Sequence, residues 1–249
     1  MNHNPFKKLN KREWLLWGVS MLAVGVSSVL AGGEGVLSTM ASLVGVTALI
    51  FLAKGDVYGQ VLTIVFSLLY GIVSWRFRYW GEMITYIGMT LPSAAVTLVS
   101  WLKHPYRDTD EVEVAHLTGK KAAVMLSLSA AVTVAFYFIL SALNTPNLAF
   151  STLSVFTSFA ACTLLLMRLP YYAVAYACND IVLIVLWVLA SVKDVQYLPM
   201  VLCFTMFLIN DLYGFYSWRK MKKRQQFDSA GDSCIIENGD KHEKNCGSE

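Results

Sequence analysis

Apolar runs long enough to cross a lipid bilayer are the feature that most constrains this chain. A membrane-spanning helix needs about 20 consecutive, predominantly apolar residues. Eight segments meet that requirement: 14–32, 35–53, 57–75, 82–102, 122–143, 148–167, 171–192 and 197–218. The composition agrees, because 56% of the 249 residues are hydrophobic and only 15% are charged, against about 25% charged in soluble domains. The sequence therefore predicts an all-α integral membrane protein with eight transmembrane helices.

The distribution of Lys and Arg predicts how these helices are oriented. Loops on the cytosolic side of a membrane are enriched in both residues. If the N-terminus is cytosolic, the outer loops hold only Arg76, Arg78 and Lys193. The inner segments then hold Lys7, Lys8, Lys11, Arg12, Lys54, Lys103, Arg107, Lys120, Lys121, Arg168, Arg219, Lys220, Lys222, Lys223 and Arg224. Both termini are therefore expected in the cytosol, and the first run is interpreted as a transmembrane helix, not a cleavable signal peptide.

Short sequence repeats predict how the eight helices are grouped. LAKGDVY (52–58) and MRLPYY (167–172) each place a basic residue four positions before a Tyr, and SWLK (100–103) and SWRK (217–220) each close a helix. Since the members of each pair run in the same direction, we expect two parallel three-helix bundles, 35–102 and 148–218. A linker helix, 122–143, would join them, and 14–32 would be an extra N-terminal helix.

The remaining segments are predicted to lie in the cytosol. They are an N-terminal arm (1–13), a loop (103–121) and a tail (219–249) that is first basic and then disordered. The loop carries Asp108, Asp110, Glu111 and Glu113. A solvated linker is favoured for it over a cation or partner site.

Two Asn-Asp pairs interrupt the last two apolar runs, in NDIVLIVLW (179–187) and NDLYGFYSW (210–218). A carboxylate at the centre of a bilayer costs about 2.5–3.5 kcal/mol on insertion scales, and such residues mark a transport pathway or a partner. The predicted spans contain no Lys, Arg or His to pair with Asp180. Asp180 and Asp211 are therefore expected either to line a solvated cavity or to hydrogen-bond neighbouring helices, for example through Ser and Thr of the third and fourth.

Polar and aromatic side chains share helix faces with these pairs, because residues three, four and seven apart lie on one face. A flat heterocycle could stack on the aromatic rings nearest the midplane. The candidate binding residues are Asn179, Asp180, Asn210, Asp211, Tyr176, Tyr172, Trp187, Gln60, Tyr70 and Tyr86. Such a set suits an uncharged or mildly cationic ring-plus-sugar molecule, and not a phosphate, since no Arg or Lys lies within a span.

Signatures of soluble catalysis are absent from the sequence. It has no Walker loop, no Gly-rich dinucleotide fingerprint, no HExxH and no GxSxG, which excludes primary ATP-driven transport by this chain alone. The five cysteines lack CxxC or His-linked spacing, so neither a disulfide framework nor a zinc site is indicated. We expect no enzymatic activity, no cofactor, no metal and no nucleic-acid partner.

The segments AKGDVYGQ (53–60), SLLYGIVS (67–74), YWGEMITY (79–86) and YYAVAYACNDIVLIVLW (171–187), followed by NDLYGFYSW, together resemble the nicotinamide riboside transporter (PnuC) family. The likeness spans roughly residues 43–219. It implies a fold similar to the SWEET sugar transporters, with a midplane site between the bundles. It also implies import of nicotinamide riboside for NAD synthesis, by facilitated diffusion with alternating access, across a bacterial inner membrane. A cytosolic kinase that traps the product and assembly as a homotrimer are further implications.

One departure from the family pattern concerns the substrate. On the family's second site helix a Trp-x-x-Trp pair precedes an Asn; here the Asn matches Asn179, and the Trp positions hold Tyr172 and Ala175. Thiamine, riboflavin and deoxynucleosides, which relatives of this family carry, therefore stay open as alternatives.

The resemblance also suggests roles for the candidate residues. Asn179 and Asp180 would hydrogen-bond the sugar or carboxamide, with Asn210 and Asp211 contributing from the next helix. Tyr70, Tyr86 and Tyr176 would stack on the ring, and Gln60 would add polar specificity. Two rivals remain: a membrane receptor that uses the Asp residues as helix contacts only, and a proton-coupled carrier in which Asp180 or Asp211 titrates.

Overall fold

Helices make up nearly all of the regular structure. The computed structural model describes residues 5–30, 36–76, 80–107, 109–145, 147–193 and 198–246, and within these residues the only strand-like pairings are two isolated β-bridges. The helices are a 3₁₀ turn (Pro5–Lys8), α1 (Lys11–Leu30), α2 (Val36–Ala53), α3 (Val57–Arg76), α4 (Trp80–Thr85), a π-helix (Tyr86–Thr90), α5 (Leu91–Leu102), α6 (Gly119–Ala142), α7 (Leu148–Leu166), α8 (Tyr172–Lys193) and α9 (Leu198–Cys246).

Six helices of the described chain are long and apolar enough to cross a membrane. They are Val57–Arg76, Met83–Leu102, Gly119–Ala142, Leu148–Leu166, Tyr172–Val192 and Met200–Ala230, and α2 adds a shorter apolar helix, Thr39–Ala53. These helices agree with the expected all-α membrane protein. The count of eight spans stays a prediction.

A π-helical turn interrupts the fourth predicted span. The sequence predicts one helix over 82–102, whereas the structure divides this stretch into α4, the π-helix Tyr86–Thr90 and α5. Pro92 stands in the first turn of α5. Proline lacks an N–H and its ring clashes with the carbonyl four residues earlier, so the preceding turn widens. Widened turns of this kind are frequent at functional sites.

The helix α1 is fixed to the rest of the bundle by a capped N-terminus. Asn10 Oδ1 accepts a bond from the Glu13 N–H (3.0 Å), and Glu13 Oε2 accepts one from the Asn10 N–H (2.8 Å), which is a reciprocal capping box. Glu13 is buried, and it also pairs with Lys54 (3.1 Å), which directly follows α2, and accepts a bond from Tyr213 Oη of α9 (2.7 Å). These contacts compensate the buried carboxylate and join three helices.

Residues 109–118, which we call the strap, cross the end of the bundle between α5 and α6. The Val112 N–H donates to the Gly55 carbonyl (3.0 Å) and the Ala115 N–H to the Arg168 carbonyl (3.0 Å). Val112 and Val114 are buried. The side chain of Gln225 in α9 accepts a bond from the Val114 N–H (2.8 Å) and donates one to the Val112 carbonyl (3.1 Å).

The acidic residues of the strap pair with cations from three other segments. Asp110 contacts Lys8, Glu111 contacts Arg224, and Glu113 lies 3.6 Å from Arg168. The sequence favours a solvated linker here, but the structure shows an extended segment with one buried edge. The alternation in Glu111-Val112-Glu113-Val114, typical of a half-buried extended chain, is the signal that identifies it.

Two tryptophans close the same end of the bundle. Trp101 of α5 donates its indole N–H to the Leu165 carbonyl at the end of α7 (3.3 Å), and Trp218 of α9 donates to the Leu52 carbonyl at the end of α2 (2.8 Å). Both side chains are 0% exposed, and their ring centroids are 5.6 Å apart. We call these four residues the tryptophan latch and this end of the molecule the latch end.

The latch is reciprocal. Leu52 stands three residues before Gly55, and Leu165 stands three residues before Arg168; these two later residues have left-handed φ angles of 65° and 59°. Their N–H groups donate to the same Leu52 and Leu165 carbonyls, at 2.9 and 3.0 Å. Each latch carbonyl is thus presented by an equivalent helix C-terminus: that of α7 receives the indole from α5, and that of α2 receives the indole from α9.

Beyond the latch, α9 continues as a helix through the basic residues 219–224 and on to Cys246. The sequence predicts a disordered tail after Arg224. In the structure, Gln225 is instead buried against the strap, and Tyr106 Oη donates to Asp228 (3.0 Å).

Candidate functional site

A cavity of about 580 Å³ lies between the helices of the bundle. Pockets for small ligands have volumes of about 300–1,000 Å³. Residues from α2, α3, α4, the π-helix, α6, α7, α8 and α9 line it. Its lining extends from Leu52, at the latch, to Leu143 and Asn147, which are exposed between α6 and α7. The cavity therefore approaches the surface at the end opposite the latch, which we call the far end.

Two carboxyl groups from neighbouring helices line this cavity. Asp180 of α8 and Asp211 of α9 are 3% and 5% exposed. Asp180 is eight residues from the latch-end start of α8 and Asp211 is seven residues before Trp218, so both lie about 10–12 Å from the latch end. Their helices pack against each other, and both side chains line the same cavity. Asp180 Oδ2 meets no hydrogen-bond partner among the described residues.

Asn179 is held in a fixed orientation beside the carboxyl pair. Its Oδ1 accepts bonds from Ser154 Oγ and Thr157 Oγ1 of α7, each at 2.9 Å. Both donors come from α7. Because Oδ1 receives both hydroxyls, Nδ2 is the part of the amide left for a ligand.

Three aromatic rings form one wall of the cavity. Tyr70 of α3 and Tyr86 of the π-helix have centroids 4.4 Å apart, and Phe66 lies 5.6 and 5.5 Å from them. Gly45 of α2 faces this wall, where an added Cβ would lie 3.1 Å from the Phe66 ring. The absence of a side chain at Gly45 therefore leaves room for Phe66 at the cavity wall.

The structure brings seven of the ten candidate residues to the cavity. They are Asn179, Asp180, Asp211, Tyr176, Trp187, Tyr70 and Tyr86. Tyr176 lies towards the latch end, with its hydroxyl 3.1 Å from Cys162 Sγ.

The other three candidates lie elsewhere. Asn210 faces α1 and donates to Ser20 Oγ (2.9 Å), because consecutive residues of a helix point about 100° apart and Asp211 takes the cavity side. Tyr172 belongs to the latch end, where its hydroxyl donates to the Leu52 carbonyl (3.3 Å). Gln60 is buried away from the cavity, and its amide atoms have no partner in the part of the chain that the structure describes.

Several polar lining residues were not predicted. They are Thr63, Thr85, Thr90, Thr145, Asn147, Ser151, Ser154 and Ser158. Ser151, Ser154 and Ser158 are spaced three and four apart, so they share one face of α7. That spacing was a readable signal in the sequence, whereas nothing in the sequence distinguishes the lining residues Phe66 and Phe207 from ordinary core.

The cavity is acidic. Of the described residues that line it, none is Lys, Arg or His, and two are Asp. Amide, hydroxyl and aromatic groups in such a surface can bind a sugar and a flat ring. A phosphate would meet two carboxyl groups and no cation to compensate its charge.

Comparisons with known proteins agree on one kind of protein. Residues 35–220 match the family described as "Nicotinamide mononucleotide transporter". The chain is 25% identical over 214 residues to the nicotinamide riboside transporter PnuC of Neisseria mucosa, covering 84% of this chain and 81% of the relative. It is 24% identical over 190 residues to the protein of that name from Haemophilus influenzae, covering 76% and 81%. A crystal structure of the vitamin B3 transporter PnuC superposes with a TM-score of 0.74 at 24% identity, covering 87% of this chain and 94% of that one.

Proposed function

We propose that this chain, which belongs to the nicotinamide mononucleotide transporter family, carries nicotinamide riboside across a membrane. The family description names a nucleotide, whereas the curated relatives are nicotinamide riboside transporters. The acidic cavity, which has no Lys, Arg or His among its described lining residues, is the observation that decides between them. A nucleoside fits that surface and a phosphorylated nucleotide does not.

The lining groups match the parts of this substrate. Nicotinamide riboside joins a flat pyridinium ring with a carboxamide to a ribose. The wall of Phe66, Tyr70 and Tyr86 provides faces on which the ring stacks. Asn179 Nδ2, Asp180 and the hydroxyls of α7 then bind the ribose or the carboxamide.

We further propose a SWEET-like arrangement with eight spans. In it α4, the π-helix and α5 together form one span. The spans α2, α3 and α4–α5 are then one three-helix bundle, and α7, α8 and α9 are a second, parallel one. The linker helix is α6, and the extra helix is α1. The reciprocal latch supports this proposal, because equivalent tryptophans at the ends of α5 and α9 bond equivalent carbonyls at the ends of α7 and α2.

Alternating access is the mechanism that this geometry supports. The cavity approaches the surface at the far end, and the tryptophan latch and the strap close the other end. With both termini in the cytosol of a bacterium, as the Lys and Arg distribution predicts, the structure corresponds to a form closed towards the cytosol. Transport then requires the latch end to open while the far end closes.

Two further parts of the proposal come from the family resemblance. A cytosolic kinase would trap the imported nicotinamide riboside for NAD synthesis, and the chain would assemble as a homotrimer in the inner membrane.

A proton-coupled carrier is the second candidate, and the presence of two buried carboxyl groups, Asp180 and Asp211, in the cavity is the observation that favours it. In a coupled carrier, uptake into liposomes would follow an imposed pH gradient, and Asp180→Asn would abolish that dependence. In a uniporter, uptake at equal pH on both sides would be as fast as with a gradient.

Binding to the purified protein tests the choice of substrate. Isothermal titration with nicotinamide riboside, nicotinamide mononucleotide, thiamine, riboflavin and a deoxynucleoside should give tightest binding for nicotinamide riboside. The mononucleotide should bind at least about 10-fold more weakly, because its phosphate is uncompensated. Equal or tighter binding of the mononucleotide would overturn the choice of a nucleoside over a nucleotide. If another compound bound most tightly, that compound would take the place of nicotinamide riboside as the proposed substrate.

A further inference from the structure

We infer that Asp180 and Asp211 act as a counter-charge by which the carrier selects a cationic ring over a neutral ring of the same shape. This inference rests on the proposed function and adds the charge of the substrate as the selected property. The family relationship identifies what the relatives carry. It does not say that Asp180 and Asp211 distinguish a charged ring from a neutral one.

The first step concerns where the negative charge lies. Asp180 and Asp211 come from helices that pack against each other, both are buried, and both line the cavity. Asp180 Oδ2 has no hydrogen-bond partner among the described residues although it is buried. A buried carboxylate oxygen without a donor is costly. A ligand in the cavity is well placed to supply the missing partner.

The second step concerns what compensates these groups. Two half-buried basic residues of the described chain lie at the latch end with acidic partners of their own: Lys54 bonds Glu13, and Arg168 lies 3.6 Å from Glu113. Neither lines the cavity. No described Lys, Arg or His lines the cavity, so a cationic substrate is the group that can place a positive charge beside the pair.

The third step concerns the ring. The face of an aromatic side chain attracts a cation through its quadrupole, and Phe66, Tyr70 and Tyr86 form such a wall in the same cavity. The wall also stacks on neutral rings, so by itself it discriminates weakly. The carboxyl pair adds a long-range attraction that only a charged ring receives, and that attraction is strong where water is excluded.

A matched pair of ligands tests this inference. Nicotinamide riboside carries a positive pyridinium ring, and its reduced form, dihydronicotinamide riboside, is neutral with the same ribose and carboxamide. Competition against labelled nicotinamide riboside on the purified full-length protein gives both affinities. We expect the cation to bind at least about 10-fold more tightly, the size of one partly screened charge contact.

Variants assign the discrimination to the pair. Asp180→Asn and Asp211→Asn should weaken binding of the cation and leave binding of the neutral form nearly unchanged, so that the ratio of affinities falls towards one. Asp228→Asn is the control, because this residue bonds Tyr106 away from the cavity; its ratio should equal that of the wild type.

Three results would overturn the inference. Equal affinities of the wild type for the two forms would do so while leaving the proposed function intact. So would an equal loss of both affinities in the Asn variants, because that would indicate a geometric role. Failure of both forms to bind would overturn the proposed function as well. The wild-type comparison needs no variant, so it decides even if a variant does not fold.

Discussion

Two adjacent side chains of α8 present different chemical groups to the cavity. Asn179 uses Oδ1 for the hydroxyls of Ser154 and Thr157 and has Nδ2 left as a donor. Asp180 presents a carboxylate oxygen that has no partner in the described structure. A donor beside an acceptor can bind a hydroxyl or a carboxamide from both sides. This is the reason that we place the recognition of the substrate's polar groups here.

Replacing Asn179 by Ala removes the donor and should weaken binding of nicotinamide riboside by about 5- to 10-fold, the effect of one net hydrogen bond. Thr157→Val keeps the amide and removes one of the two hydroxyls that orient it, so its effect should be smaller. Isothermal titration measures both. An unchanged affinity in Asn179→Ala would show that this amide does not touch the substrate.

The sequence identifies Asn179, Asp180 and Asp211 because polar residues are conspicuous in apolar spans. It does not separate Asp211 from Asn210, since the choice depends on α1, which packs against the Asn210 side of α9. Phe66 escapes prediction for another reason. An apolar ring at a cavity and an apolar ring in the core have the same local pattern in the sequence, and only the cavity that Phe66 lines in the structure distinguishes them.

The tryptophan latch, formed by the ends of α2, α5, α7 and α9, closes the latch end. Trp218→Phe keeps an aromatic ring, although a smaller one, and deletes the bond to the Leu52 carbonyl, and Trp101→Phe does the same at Leu165. Loss of one net hydrogen bond should shift the equilibrium towards the form open at the latch end by about 5-fold. Cys162, which lines the cavity near the latch, reports this opening in a chain whose other cysteines are replaced by Ser.

Alkylation of Cys162 by an impermeant maleimide, applied from the latch side of oriented vesicles, should be several-fold faster in either Trp variant than in the parent. Trp75→Phe is the control, because Trp75 is an exposed residue outside the latch. Unchanged labelling in both latch variants would mean that these indoles do not limit opening.

The ion pair between Lys8 and Asp110 of the strap should be insensitive to pH in the neutral range. Burial by itself lowers the pKa of Lys8, but hydrogen bonds and charge from Asp110 and Asp56 outweigh it and raise the pKa above its ordinary value of 10.5. The stabilisation is therefore complete below about pH 10.5 and is lost only as the pH rises through the higher folded value.

Hydrogen exchange measures this prediction at the Val112 amide, which bonds the Gly55 carbonyl. After correction for intrinsic rates, its protection should be equal at pH 6 and pH 9, and Lys8→Met should lower it at both. If protection in the wild type decreased from pH 6 to pH 9, the raised pKa of Lys8 would be contradicted.

The sequence predicts the ends of the membrane helices well, but it does not predict the packing of the strap. The predicted spans 148–167 and 171–192 end within one residue of α7 and α8, because hydropathy is a local property. The strap is recognisable only as alternating Glu and Val. Its partners Gly55, Arg168 and Gln225 lie more than fifty residues away, and no local pattern identifies contacts of that range.

The molecule as a whole places an acidic, aromatic-walled cavity among helices whose basic end is closed. Equivalent helix ends on the two sides exchange tryptophans across that closure, so a relative rotation of the two groups of helices would break both bonds together. The same rotation would alter the distance between α3 and α8 around the substrate. In the proposed mechanism, binding and gating would thereby be coupled through one set of helices.

Uptake of labelled nicotinamide riboside by liposomes that contain only the purified protein tests the central claim most directly. With equal pH on both sides, we predict saturable uptake that exceeds empty liposomes, is competed by unlabelled nicotinamide riboside but not by its mononucleotide, and has a higher apparent KM in Asn179→Ala. Uptake no faster than in empty liposomes, from protein that is folded and correctly inserted, would contradict the account.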